Sequence, residues 1–380
     1  MKLIDGFKKY IEDKNRKSNR IYNLIIDELD EYSKFYSEVT NLKAQGHEHY
    51  KTKETEDKIL KLIEEDESVL TIQDKFGYNI GMLAAINKLE NVVLRVLDNE
   101  KASIQQEDTG ENIGMKSAKS QLEKAVLKSL DNKIASTQQD ISGLNIGMYA
   151  AFYGLKESTL KALDNEEASV QQDNLGANIG MYAVKSGLEE AVLKALDNDE
   201  ASLQLDNEGA NIGMWAANKR MANCVMKALD NEKASLIQDK KYGLNIGMWA
   251  AAYGLEDCVL KALDNKKASV QRDLTGENIG MKSARTHLKK AVLKALDNKY
   301  ASIQPDRMGR NIGMFCAKSG LEEATLKALD VPIARNQRDN KGLIMLDYCK
   351  ENNLDKAYEK AVKLREKDEV DFQDAALISL

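Results

Sequence analysis

The sequence predicts an all-α solenoid of stacked helix-turn-helix units of about 33 residues, closed by helical caps at both ends. The tetrapeptide Asn-Ile-Gly-Met occurs eight times, beginning at Asn79, Asn112, Asn145, Asn178, Asn211, Asn245, Asn278 and Asn311, with steps of 33 residues and one of 34. Glycine keeps the same register. Of 23 glycines, eight sit in the tetrapeptide, nine lie two residues before it or at the matching place (Gly77 through Gly342), and four (Gly154, Gly187, Gly254, Gly320) fall six residues after its methionine. Apolar residues between tetrapeptides recur at helical spacing, as in Cys224, Val225, Ala228 and Leu229. Such short helices cannot bury a core alone, so each unit must stack on its neighbours.

Composition bounds the alternatives. The 380 residues are 43% apolar and 31% charged with a net charge of −6, a core-forming balance rather than a disordered one. Two prolines, Pro305 and Pro332, exclude Pro-rich linkers and stalks. Four cysteines do not make a disulfide framework and suit a reducing compartment. No apolar run is long enough to span a bilayer, and the start of the chain lacks a secretory apolar core. The expectation is a cytoplasmic monomer that does not engage a membrane.

Residues 1–54 carry Ile21, Ile25, Leu29, Tyr32, Tyr36 and Val39 at steps of three and four, one apolar face of a helix. This segment reads as a helical cap on the array or as a small interaction module. Residues 55–365 form the array: eight tetrapeptide repeats, a partial first repeat over 56–74 and a degenerate last one. Leu354 to Glu369 reads as a charged final helix, and 366–380 as a tail, either a frayed end or a short docking peptide.

Within one unit, Asp206-Asn207-Glu208-Gly209 predicts a turn, with glycine where a positive φ is needed. Asn211 predicts an N-cap on a first helix through Met214, Ala216 and Ala217. A break near Arg220 leads to a second helix of about ten residues that ends at Leu229-Asp230-Asn231, with the asparagine as a left-handed terminator. The tetrapeptide glycine is expected to permit close helix packing. The extra residue behind the 34-residue step falls in the turn Asp239-Lys240-Lys241-Tyr242-Gly243.

The pattern Asp-x-x-Gly-x-Asn-Ile-Gly-Met-x-Ala-Ala-x-x-Gly-Leu-Glu at this period resembles the ankyrin repeat, over about residues 55–365. It departs from the Thr-Pro-Leu-His signature at each position, and Ala-Ser-x-Gln replaces the usual loop. The resemblance implies two antiparallel helices per unit and a concave face, lined by first helices and turn tips, on which partners dock. It also suggests kinship with arrays of intracellular bacteria, phages and viruses that act as effectors or decoys in a host cytosol.

No phosphate-cradling, hydrolase or metalloprotease motif is present, so no catalytic residue, cofactor or metal is expected. His47-Glu48-His49 has the wrong spacing for a metal and no third ligand nearby; His287 reads as a surface residue of the inter-helix turn. Cys224, Cys258, Cys316 and Cys349 read as small core residues.

The six residues after each tetrapeptide methionine are the candidate binding strip. They hold nine cations (Lys88, Lys116, Lys119, Lys185, Lys219, Arg220, Lys282, Arg285, Lys318), no Asp or Glu, and eight aromatics (Tyr149, Phe152, Tyr153, Tyr182, Trp215, Trp249, Tyr253, Phe315). Tyr149, Tyr182, Trp215 and Trp249 occupy one equivalent position in four consecutive repeats, either as an exposed ladder or as packed side chains. Aromatic and cationic residues dominate protein hot spots. The expected function is a non-enzymatic scaffold gripping an acidic segment of a partner protein, with repeats 145–286 at its centre. The alternative is a nucleic-acid or nucleotide-type ligand, with bases stacked on the rings and phosphates on the cations. Trp215→Ala with Trp249→Ala is expected to abolish partner binding and leave the helical signal intact, whereas unfolding would mean that the tryptophans are core.

Overall fold

The computed structural model describes the backbone of residues 2–42 and 45–378 and the side chains of residues 15–35 and 51–368. Among the described residues there are 28 α-helices, one 3-10 helix and no strand. The chain divides into two compact units, Met1–Ala195 and Leu196–Leu380, each a helical-repeat stack. In the first unit the helices Ile80–Ile86, Ile113–Lys119, Ile146–Phe152 and Ile179–Ser186 pack in series. In the second, Ile212–Asn218, Ile246–Ala252, Ile279–Arg285, Ile312–Lys318 and Met345–Glu351 do the same.

The repeat that begins at Asn145 shows how residues become structure. Asn145 has extended backbone, and its Oδ1 accepts from the Met148 amide at 2.9 Å, so it caps the first helix, Ile146–Phe152. The same cap recurs in all eight tetrapeptides. A left-handed residue, Gly154, then turns the chain into the second helix, Lys156–Ala162. That helix has no side-chain cap of its own; Glu123 of the preceding repeat reaches over to accept from the Ser158 amide at 3.3 Å. Glu256 does the same for Lys290 at 2.8 Å, and Glu322 for Lys356 at 3.0 Å.

Each of the eight tetrapeptide repeats holds three short helices, not two longer ones. The expected left-handed asparagine after Leu-Asp is in fact extended: Asn165 has φ −85° and caps a third helix, Glu166–Ser169, by accepting from the Glu167 and Ala168 amides. A short polar side chain followed by acidic first-turn residues satisfies the free amides of a new helix better than it ends the old one. Ala168 and Ser169, in the Ala-Ser-x-Gln segment, are thereby buried.

Neighbouring repeats are joined by recurring polar contacts. Lys161 Nζ donates to the Leu127 carbonyl at 2.8 Å and pairs with Asp131 at 2.6 Å, closing the C-terminus of the preceding second helix. Lys128, Lys261, Lys294, Lys327 and Lys360 repeat the arrangement. Turn backbones also pair across repeats, as in Ile141 N to Thr109 O (2.9 Å) and Leu274 N to Tyr242 O (2.9 Å).

The cap follows the predicted apolar face. Helix Lys2–Leu42 lies antiparallel to Gln45–Glu65, with Lys17 bonded to Glu65 and Tyr32 Oη to Thr52 at 2.7 Å. Ile21, Ile25, Leu29 and Tyr32 join Ile59, Ile63, Ile80 and Met82 in one core, so residues 15–35 cover the first repeat. The boundary expected at 54/55 falls inside Gln45–Glu65. At the other end, Asp355–Ile378 is one helix that passes the expected stop at Glu369 and spans the 365/366 boundary. The side chains of Tyr36, Val39, His47, Glu48 and His49, and those of the tail beyond residue 368, lie outside the described residues.

Two glycine positions behave differently. A Cβ at Gly147 would meet Ile179 Cδ1 at 2.5 Å and Ala162 Cβ at 2.7 Å, so the first helix approaches its neighbours only without one. At Gly154 (φ +77°) a Cβ would meet nothing, and only the left-handed backbone selects glycine. Lys88, Gln121, Arg220 and His287 hold the corresponding place with φ between 58° and 60°. Gly147→Ala is therefore expected to lower stability by about 1–3 kcal/mol through overpacking. Gly154→Ala should cost about 1 kcal/mol, and Gln121→Gly should gain a few tenths to about 1 kcal/mol. Urea unfolding of the three variants checks the order.

Candidate functional site

Each residue of the proposed ladder carries a donor that reaches back to the turn of its own repeat. Tyr149 Oη donates to Asp140 at 2.7 Å, Tyr182 Oη to Asp173 at 2.6 Å, Trp215 Nε1 to Asp206 at 2.8 Å and Trp249 Nε1 to Asp239 at 2.9 Å. Lys282 pairs with Asp273 at 2.7 Å, and Tyr348 Oη donates to Asp339 at 2.7 Å. The partner carboxylate has two tasks. One oxygen of Asp140 accepts from the Ser142 and Leu144 amides and builds the turn, while the other receives the ladder donor. Phe315 has no donor, and there Arg310 bonds Asp306 and lies 4.6 Å above the Phe315 ring.

The ladder is therefore packed. Lys116, Tyr149 and Phe315 are buried, and Tyr182, Trp215, Trp249 and Lys282 are half-buried. Trp215 and Trp249 each satisfy a turn carboxylate, so their removal to alanine also strips a bond from Asp206 and Asp239, and loss of binding in that pair would not isolate a docking role.

The strip free of acids along the sequence meets acids in space. Glu111, just before the tetrapeptide, accepts from Lys119 and Tyr149 and pairs with Lys116 at 2.5 Å. Arg285 binds Glu277 at 3.0 Å. Burial alone would raise the Glu111 carboxyl, but bonds from Lys116, Lys119 and Tyr149 outweigh it and hold its pKa below the usual range. Burial likewise opposes the charge on Lys116, and Glu111 restores and raises its pKa. The Tyr149 phenol is pushed up by burial and by the Asp140 and Glu111 carboxylates. Sequence reasoning missed these acids because they sit outside the six-residue windows, one repeat-turn upstream.

What stays open on this face differs between the units. In the first, Phe152 is 45% exposed, packs edge-on against Tyr153 (5.1 Å) and Tyr182 (6.2 Å), and lies 4.8 Å below the Lys185 ammonium. In the second, Trp249 stacks on Tyr253 at 5.7 Å and meets the exposed Tyr242 edge-on at 6.4 Å. The sequence analysis placed Tyr242 in the inserted turn but not in the binding strip, because it lies before the tetrapeptide. Lys185, Lys219, Arg220 and Lys318 are exposed, and none is in an ion pair among the described residues. Lys318 flanks an open cleft of about 470 Å3 lined by Glu277, Arg285, His287, Arg310 and Phe315. Lys88 and Arg220 occupy the left-handed turn position, as does the exposed His287. The four cysteines are buried and form no disulfide, as expected of core residues, and burial pushes the Cys349 thiol up to about 11.

No family model matches the chain, and no curated protein matches it significantly. Among the described residues, no helix is long and apolar enough to cross a membrane.

The turn carboxylates set a pH dependence. Asp273 and Asp339 are buried, which would raise them, but hydrogen bonds from Lys282 and Thr275 in one case, and from Tyr348 and turn amides in the other, hold both below the usual range. A carboxyl lowered on folding contributes stability that is complete above its unfolded pKa, about 4, and disappears as pH falls through the folded value. Stability to urea should stay flat down to about pH 5 and fall steeply below about pH 4. Lys282→Met should make the acid limb shallower, and an unchanged limb would show that this pair contributes nothing.

Proposed function

We propose that the chain is a non-enzymatic scaffold of ankyrin type, a cytoplasmic monomer whose first-helix face docks a segment of a partner protein. The open aromatic cluster of Phe152, Tyr153 and Tyr182 beneath Lys185 carries this reading. Flat rings beside a cation that no carboxylate neutralises offer anchors and charge together, the chemistry of a protein hot spot. Lys116, Lys119, Lys282 and Arg285 are already engaged by Glu111, Asp273 and Glu277, which leaves Lys185 to meet an acidic segment in the first unit, and Lys219, Arg220 and Lys318 to do so in the second.

A nucleic acid is the less favoured ligand. The net charge of −6 opposes the sequence-independent phosphate attraction on which nucleic-acid binding rests. A role as a host-directed effector or decoy would follow from the ankyrin likeness alone.

Affinity capture from lysate, with wild type beside Phe152→Ala/Tyr153→Ala and with a nuclease-treated lane, tests the reading. Phe152 is exposed and makes no hydrogen bond through its side chain, so the variant should melt within about 1 kcal/mol of wild type. Protein bands that survive nuclease and weaken at least tenfold in the variant are expected. Bands lost on nuclease treatment would transfer the function to nucleic acid, and identical capture by the variant would remove this face from the function.

A further inference from the structure

The third helices carry a charge pattern that the first-helix face does not use. Glu100, Glu166, Asp199 and Glu232 open the third helix in their repeats, where free first-turn amides favour an acid. The sign is reversed at Lys133 and, in two successive repeats, at Lys266 and Lys299. The neighbouring second helix is reversed too, since it opens with Lys289-Lys290 where others open with Glu90, Glu123, Glu189, Glu256 and Glu322. Residues 266–310 contain 11 Lys and Arg against four Asp and Glu, within a chain whose net charge is −6.

These lysines edge a groove. Between the third helices Lys266–Val270 and Lys299–Ile303 lies an open cleft of about 930 Å3, with Leu263 and Val270 among its apolar walls. Tyr300 lines it and is 76% exposed. Its two carboxylates are already engaged, Asp264 with Lys294 and Asp297 with Lys327, each at 2.6 Å. Lys266 and Lys299 are exposed and form no ion pair among the described residues, and Lys267 meets only the exposed Glu232 at 3.5 Å. A related cleft lies between two third helices of the first unit, with Leu97, Ile104 and Ile134 and with Lys101, Lys128 and Lys133, but there Glu100 is also among the lining residues and no aromatic ring is. The cleft and lysines at its edge thus follow from repeat stacking, whereas the exposed Tyr300 and a lysine rim with no lining glutamate belong to residues 263–304.

We propose that this groove is a second docking site, separate from the first-helix face, for an acidic peptide segment of a partner protein with an aliphatic or aromatic anchor. The anchor enters over Leu263 and Val270 beside the Tyr300 ring, and its flanking carboxylates pair with Lys266, Lys267 and Lys299. Apolar walls distinguish such a peptide from a nucleic acid, which would gain from the lysines alone. The cost of cations at helix starts is then offset by a bound anion.

Fluorescence anisotropy on the full chain tests the proposal, with a fluorescein-labelled synthetic 12-residue peptide of alternating Glu and Leu and one central Trp as the probe. Saturable binding is expected, weakened at least tenfold by Lys266→Glu/Lys299→Glu and several-fold by Tyr300→Ser, and unchanged by Phe152→Ala/Tyr153→Ala. Because an acid suits the first turn of a helix, the charge-reversed variant should melt no lower than wild type, which separates lost binding from lost folding. Absence of saturable binding by wild type would overturn the proposal, as would equal affinity in the charge-reversed variant. Loss in the Phe152/Tyr153 variant would assign the peptide to the first-helix face. Tighter binding of labelled oligothymidylate, displaced by the same lysine changes, would make the groove a nucleic-acid site. Self-association abolished by Tyr300→Ser in sedimentation would make the occupant a second copy of the chain.

Discussion

The structure depends on one buried amide per repeat. The side chain of Asn145 is fully buried and bonded on both sides: Oδ1 accepts from Met148, while Nδ2 donates to the Ala168 carbonyl at 3.1 Å and to Gln171 Oε1 at 2.8 Å. Gln171 in turn donates to the Thr137 carbonyl of the preceding repeat at 2.8 Å. One residue therefore starts the first helix, holds the third helix of the same repeat and, through a glutamine, fixes the repeat to its neighbour. A buried amide left half-satisfied costs more than it contributes when fully bonded, so the arrangement tolerates little change. Asn79, Asn112, Asn245, Asn278 and Asn311 make the same pair of donations, to an alanine carbonyl and to a glutamine.

From this constraint follows the division of labour around each repeat. The interior is fixed by the asparagine, the packing glycine and the small alanines. The links between repeats are fixed by Lys161 and its equivalents on the second helices and by backbone pairs between turns. Cooperativity in such stacks arises from nearest-neighbour contacts, so outward positions can change without disturbing distant repeats. The first position after the methionine shows this freedom within limits: Lys116, Tyr149, Trp215 and Lys282 differ in size and charge, yet each donates to or pairs with a carboxylate at its own turn. The third-helix start is freer, and Glu232, Lys266 and Lys299 succeed one another there.

Much of the fold was legible because each repeat repeats its own evidence. The tetrapeptide asparagine as a cap, the glycine as a point of close approach and the apolar face of residues 21–32 are local signals, and local physics decides them. The third helix was not read, although Asn165-Glu166-Glu167-Ala168 carries a capping pattern, because the asparagine was assigned to end the helix before it. The site was less legible. Window counting along the chain finds Lys116 and Lys282 but cannot see Glu111 and Asp273 folding back onto them, since a turn brings together residues that the periodic pattern keeps apart. The packing of Tyr149, three positions before the exposed Phe152 on the same helix, is likewise set by the turn carboxylate that its hydroxyl reaches.

Hydrogen–deuterium exchange on Asn145→Ala tests the central role of the asparagine most directly. Losing all three side-chain bonds should reduce protection by roughly 30- to 1,000-fold, equivalent to about 2–4 kcal/mol, in two places at once: the first helix, Ile146–Phe152, and the third helix, Glu166–Ser169. Fraying confined to the start of the first helix, with the third helix as protected as in wild type, would contradict the account and reduce Asn145 to an ordinary helix cap.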